Sequence, residues 1–71
     1  MLHFEFKDNI LHVTDTQMCF RQNLTNHWYY DIKNWKVSSL GKIGDKPDRD
    51  MTPESIEWCK KNYLPKVGIN L

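Results

Sequence analysis

Two histidines and a glutamate near the start of the chain have the chemistry of metal ligands. His3, Glu5 and His12 fall on one face of a predicted hairpin, with Glu5 opposite His12 and His3 diagonal to it. These side chains could hold zinc if a fourth ligand came from elsewhere, because structural zinc sites are usually four-coordinate. A solvated polar face explains the same pattern, so we predict neither a bound metal nor a cofactor.

The acidic stretch DKPDRD is a second place to look for a cation site. An EF-hand loop needs oxygen ligands at alternate positions, a glycine at the sixth position and a glutamate at the twelfth. Counted from Asp45, the third position is Pro47 and the sixth is Asp50, so the pattern fails. The stretch is typical of a charged loop in solvent.

Nothing in the sequence predicts catalysis. Gly41-Lys42-Ile43-Gly44 lacks the spacing and the Lys-Ser/Thr ending of a phosphate-binding loop. A cysteine nucleophile works as its thiolate and needs a neighbouring base, whereas Cys19 and Cys59 are predicted to be buried free thiols. We therefore predict that the protein is not an enzyme.

Basic and aromatic side chains near the middle of the chain could contact nucleic acid. Basic side chains pair with phosphates, and aromatic rings stack on bases. The candidates on a predicted second hairpin and its exit are Tyr29, Lys33, Lys36 and Lys42. The formal net charge of the chain is only +1, so ordinary solubilising lysines explain them too.

Trp58 is the most unusual residue of the predicted C-terminal helix. At 100° per residue, Ile56, Cys59 and Tyr63 face the sheet, and Trp58 lies roughly 200° round from Ile56. It stands beside Glu54 and Lys61. Trp58 either packs under the C-terminal tail or is an exposed anchor for a partner, since tryptophan is enriched in interface hot spots.

Length and composition limit the architecture. The 71 residues predict one domain spanning 1–71, and the 13% aromatic content supplies large side chains for a small core. No apolar run approaches a membrane span, and MLHFEFKDN does not read as a signal peptide, so we expect a cytoplasmic protein. Small chains of this kind often come from phages and mobile elements, an expectation from size alone.

The first element is a predicted hairpin. Apolar and polar residues alternate from Leu2 to Lys7 and again from Ile10 to Thr14, which is the period of a half-buried strand. A turn at Asp8-Asn9 would pair Phe6 with Leu11 and Phe4 with Val13.

The next segments are less distinct. Residues 17–26 either continue the second strand and turn at Gln22-Asn23, or contain a short helical turn. Residues 28–40 favour a second hairpin, in which a Lys33-Asn34 turn pairs Ile32 with Trp35, Tyr30 with Val37 and Asp31 with Lys36. A helix fits residues 24–35 loosely. Residues 41–50 are predicted to be a loop.

A C-terminal helix completes the predicted fold. Thr52 is a candidate N-cap, Pro53 suits the first helical position, and Pro65 and Gly68 close the segment. We predict an α+β fold, with a small antiparallel sheet of three to four strands from two β-hairpins and the helix packed on one face. The predicted core comprises Leu2, Phe4, Phe6, Leu11, Val13, Trp28, Tyr30, Ile32, Trp35, Val37, Ile56, Cys59 and Tyr63.

These features predict a small non-enzymatic regulatory or accessory protein that docks on another protein. The partner-binding residues would be Trp58, Glu54 and Lys61. The partner could also be a second copy of the chain, because a homodimer would supply burial that a short chain lacks. The alternative function is nucleic-acid binding through the second hairpin, and no membrane partner is expected.

Overall fold

The fold is a five-stranded antiparallel sheet covered on one face by a C-terminal helical segment, as described for residues 1–71 by a computed structural model. The α+β class is confirmed, and the sheet has one strand more than the largest number predicted. The strands follow one another in chain order across the sheet: β1 (Leu2–Lys7), β2 (Ile10–Cys19), β3 (Gln22–Asp31), β4 (Lys36–Val37) and β5 (Arg49–Asp50).

The first hairpin has the predicted register. Phe6 pairs with Leu11 and Phe4 pairs with Val13. Asp8 and Asn9 form the turn with φ of 54° and 63°. These are residue types that tolerate positive φ, and a turn with both central residues there matches the twist of the flanking strands.

The middle of the chain consists of two paired strands and the turns that follow them, so the helical alternatives for residues 17–26 and 24–35 are wrong. β2 and β3 pair over ten positions, from Ile10 opposite Asp31 to Cys19 opposite Gln22. The turn lies at Phe20-Arg21, two residues before the predicted position. Phe20 has a φ of 59°, a conformation that sequence rules assign to glycine or asparagine and not to phenylalanine.

The second hairpin is partly as predicted. Tyr30 pairs with Val37 and Asp31 with Lys36, but the ladder stops there, so the predicted pairing of Ile32 with Trp35 is wrong. The Asp31 carboxylate instead accepts hydrogen bonds from the amides of Lys33 and Asn34. These bonds stabilise a longer turn across 32–35.

The predicted loop 41–50 ends in a short strand. Lys36 pairs with Asp50 and Val37 with Arg49, which makes β5 an edge strand. The Lys36 ammonium donates to the Asp50 carboxylate at 2.6 Å. Two residues among charges and a proline carry too little periodicity to predict a strand.

The C-terminal segment begins as predicted and then changes its helical type. Thr52 caps α1 (Pro53–Trp58) by accepting the Ser55 amide through Oγ1 at 3.1 Å. The chain continues as a π-helical turn over Cys59–Tyr63 and a 3₁₀ turn over Leu64–Val67. Gly68, with φ of 79°, ends it. Pro65 lies inside the last turn and does not end the segment.

The core lies between the middle of the sheet and this helical segment. Tyr63 joins the two layers, with its ring centroid 5.5 Å from Phe4 and 5.7 Å from Tyr30. The predicted core residues Leu2 and Phe6 are exposed, whereas Phe4 between them packs against the core. The buried apolar residues are Leu11, Val13, Ile32, Val37, Met51, Cys59 and Leu64.

Burial is therefore concentrated at one end of the two long strands. Met51 and Leu64 belong to the core although neither was predicted there. Leu64 is fully buried because the π-helical turn shifts the angular positions of the residues that follow it. No helix of this fold has the length and apolar character that crossing a membrane requires.

Candidate functional site

The end of the β2–β3 hairpin projects from the sheet. On one side, β1 pairing ends where Met1 and Thr16 exchange backbone hydrogen bonds. On the other side, β4 reaches only Tyr30, and the Gly41 carbonyl accepts the His27 amide. Residues Gln17–Leu24, which we call the hairpin tip, are a two-stranded ribbon with both edges free.

The hairpin tip exposes apolar side chains that the fold does not use. Phe20 is 98% exposed and Met18 is 79% exposed. The strand register places Leu24 on the face that continues the core and Met18 on the opposite face, with Phe20 at the turn between them. Apolar surface therefore points outward from both faces and from the end of the ribbon.

A shallow depression lies beside the turn. It has a volume of about 510 Å³, and its lining residues are Cys19, Phe20, Arg21, Gln22 and Leu24. Arg21 is the one charged residue of the hairpin tip. The surface is therefore mainly apolar and amide in character.

The backbone at Phe20 is strained as well as exposed. For an L-residue other than glycine, asparagine or aspartate, the left-handed region costs roughly 1–2 kcal/mol. An exposed side chain makes no packing contacts that would offset this cost. Strained positions of this kind are found preferentially at functional sites.

The three residues predicted to bind a partner lie close together. Trp58, Glu54 and Lys61 line one open cavity of about 590 Å³. Trp58 is 59% exposed, whereas Val67 and Ile69 of the tail pack against the core. The tail therefore does not bury the Trp58 side chain.

Trp58 also stands at the edge of a more apolar cleft. This cleft has a volume of about 430 Å³ and opens between the sheet and α1. Its walls include Trp28, Tyr30, Val37 and Tyr63. Trp58 thus borders both a polar cavity and an apolar cleft.

The predicted nucleic-acid residues are partly engaged within the protein. Tyr29 stacks on the His12 ring, with the centroids 4.3 Å apart and the planes 12° apart, and its hydroxyl accepts the Gly44 amide. The hydrogen bond between Lys36 and Asp50 raises the pKa of the lysine and lowers the pKa of the carboxyl. Lys33 and Lys42 are exposed.

The face of the sheet opposite the core carries a histidine pair that the sequence did not predict. His12 Nε2 lies 3.2 Å from His27 Nδ1. Burial and the neighbouring His27 lower the pKa of His12. The missed signal is the alternation of Thr25, His27 and Tyr29, which places His27 beside His12 once β2 and β3 are paired.

The other residues considered as metal ligands do not converge on one point. His3 contacts Glu5 at 3.4 Å. Asp45 accepts the Leu40 amide, while Asp50 is paired with Lys36. No group of three or more His, Cys, Asp and Glu side chains is placed to hold a metal ion.

The two cysteines differ in environment. Cys59 is buried, and this burial raises the pKa of its thiol to about 11. Cys19 lies exposed on the hairpin tip, so the prediction that both thiols are buried is wrong for Cys19. The error follows from the turn at Phe20, which carries Cys19 away from the core.

No family model, curated protein or solved structure matches the chain.

Proposed function

We propose that this is a small non-enzymatic accessory or regulatory protein that docks on another protein through the hairpin tip. The observation that carries the proposal is Phe20, which is 98% exposed on a strained turn at the end of a projecting ribbon. Aromatic side chains, phenylalanine included, are enriched in protein interfaces, where each buries a large area. The cytoplasm is the proposed location.

The distribution of apolar side chains defines the partner. Leu24 and Met18 project from opposite faces of the ribbon, so a flat surface could cover only one of them at a time. A partner with an apolar cleft that encloses the ribbon end would cover both together with Phe20. The single charge of the hairpin tip predicts that binding depends little on salt.

Trp58 is the proposed secondary anchor. Its exposed ring, with Glu54 and Lys61 beside it, has the aromatic centre and polar rim found in interfaces. The backbone at Trp58 is not strained, because its φ is an ordinary helical −60°. The hairpin tip is therefore the stronger candidate.

The nucleic-acid alternative has less support. Tyr29 is stacked on His12 and the Lys36 charge is paired with Asp50, so two of its four residues are already engaged. Binding through Lys33 and Lys42 would weaken steeply as salt is raised, because counterion release dominates such contacts.

Site-specific cross-linking tests the proposal. A photoreactive benzoyl-phenylalanine is placed at position 20 in cells that produce the protein, with the same group at Ile43 as the control. Ile43 is a matched position, being apolar and 73% exposed in a loop. The cross-linked protein is identified by mass spectrometry and titrated in pure form with the wild-type chain.

The expected result is one protein cross-linked from position 20 and not from position 43, which then binds the pure wild-type chain saturably and with little dependence on salt. Cross-linked products that contain only a second copy of this chain would identify a homodimer and overturn docking on another protein. Cross-linking to nucleic acid, or equal products from both positions, would also overturn the proposal.

A further inference from the structure

The histidine pair on the sheet face opposite the core has the geometry of two metal ligands. His12 and His27 come from neighbouring strands, and they are diagonal because the direct partners are His12 with Tyr29 and Thr14 with His27. Their ring nitrogens are nevertheless 3.2 Å apart. In the metal-free protein, one of the two ring nitrogens carries a proton and donates a hydrogen bond to the other.

That separation fits a shared metal ion. Zinc–nitrogen bonds are about 2.0–2.1 Å long, so an ion bonded to both nitrogens would subtend an angle of about 100–106°. This angle lies between the octahedral and tetrahedral values. The separation of the two nitrogens is therefore compatible with both of them bonding to one ion.

The surroundings hold one ligand in place. Tyr29 stacks on His12 with a 12° angle between the ring planes, and the Tyr29 hydroxyl is itself fixed by the Gly44 amide at 3.1 Å. A ring held between a strand and a stacked tyrosine loses less freedom on binding an ion than a mobile side chain does.

The surroundings also favour a cation and leave it accessible. Glu5 is the direct partner of His12 on β1, and its carboxylate is exposed. A negative charge on the strand next to His12 favours a bound cation without having to be its ligand. Both histidines are only partly buried, so water can reach the site and complete the coordination.

We propose that His12 Nε2 and His27 Nδ1 bind a divalent late-transition metal ion such as zinc or copper, with water in the remaining positions. Imidazole nitrogen selects these metals, whereas magnesium and calcium require oxygen ligands. The site lies on the polar face of the sheet and uses no residue of the hairpin tip, so it is independent of the proposed docking.

Calorimetric titration with zinc chloride at neutral pH tests the site. The wild type is compared with His27→Gln, which removes one ligand, and with His3→Gln as the matched control. His3 is a histidine on the same face, and its Nε2 contacts Glu5 and neither ring of the pair. Circular dichroism of each variant checks that it is folded.

We expect one zinc ion per chain, binding about 10-fold or more weakly in His27→Gln and within about two-fold of wild type in His3→Gln. Magnesium chloride should give no saturable heat. Equal losses in both variants, no saturable zinc binding to the wild type, or one ion shared between two chains would overturn the proposal.

Nuclear magnetic resonance of the wild type keeps the proposal testable if His27→Gln fails to fold. Zinc should shift the ring C–H resonances of His12 and His27 and leave those of His3 in place. Shifts centred on His3, or no shifts on the rings of the pair, would show that the two side chains are hydrogen-bonded partners and not metal ligands.

Discussion

The two ends of the β2–β3 hairpin are built from the same pair of strands and differ in almost every other property. Near its base, Leu11 and Val13 are buried beneath the helical segment. At its tip, Met18 and Phe20 are exposed and no other element covers them. Apolar residues in one continuous ladder therefore serve the fold at one end and are free for a partner at the other.

The difference shows that strand pairing and core formation can be separated. The ladder continues for ten positions because backbone hydrogen bonds need only a neighbouring strand. Burial needs a second layer, and the helical segment is long enough to cover only the base. Apolar side chains beyond its reach contribute little to folding, and we propose that they serve docking.

The largest expected effect comes from matched leucine truncations at the two ends. Leu64→Ala removes a fully buried side chain and should lower the free energy of unfolding by about 2–5 kcal/mol. Leu24→Ala, on the hairpin tip, should lower it by less than about 1 kcal/mol. Urea unfolding measures both.

If Leu64→Ala leaves too little folded protein for a urea titration, Leu64→Val is the milder comparison. Equal losses at positions 64 and 24 would show that the hairpin tip is packed in solution, which would break the distinction between the two ends.

Thiol reactivity sharpens the same comparison. Burial raises the pKa of the Cys59 thiol to about 11 and excludes reagents, whereas Cys19 is exposed. Since the thiolate is the reactive form, Cys59 should react at least about 100-fold more slowly than Cys19. Labelling with a thiol reagent followed by mass spectrometry measures both rates.

Urea provides the control for this prediction. In denaturant the two thiols should react at similar rates, because the environment that protects Cys59 is lost. Fast reaction of Cys59 in the native protein would contradict the burial of this residue in the core.

The tyrosine at the base should make stability depend on alkaline pH. Burial, followed by the neighbouring Tyr63, raises the pKa of Tyr30 to about 12. The native state therefore favours the neutral phenol. Its contribution to stability is complete below the unfolded pKa of about 10 and is lost as the pH rises through about 12.

Urea unfolding across this pH range measures the loss, and Tyr30→Phe is the matched variant. Tyr30→Phe should show a smaller decline, because its ring cannot ionise. An identical decline in both proteins would assign the alkaline effect to other groups.

The smallest expected effect on stability is at the turn. Phe20→Gly relieves the positive φ and should raise the free energy of unfolding by about 0.5–1 kcal/mol, the strain relieved less the added freedom of glycine in the unfolded chain. Ile43→Gly cannot serve as the control, because Ile43 has no positive φ and the substitution would relieve no strain. Phe20→Ala, which keeps the strain and removes the ring, should leave stability nearly unchanged.

Local rules predicted the packed base better than they predicted the hairpin tip. The alternation around Phe4 and Val13, the Asp8-Asn9 turn and the Thr52 cap were confirmed because each depends on neighbouring residues. The turn at Phe20 was missed because it breaks the residue preference of such turns. Under the proposed docking function, Phe20 would be retained for binding although it breaks a folding rule.

The candidate sites were predictable only in part. Trp58 was found because its angle on a regular helix is calculable from spacing. His27 was missed because its neighbour His12 belongs to another strand, and the contact exists only once the β2–β3 register is known. Leu64 was missed because the π-helical turn departs from the regular helical period.

The most direct test of the account measures stability and partner affinity on the same variant. For the pure partner identified by cross-linking, Phe20→Gly should bind at least about 30-fold more weakly than wild type, as expected for a hot spot, while being as stable or more stable. Ile43→Ala should bind as wild type does. Unchanged affinity, together with a loss of stability in Phe20→Gly, would contradict the account and assign Phe20 to the fold.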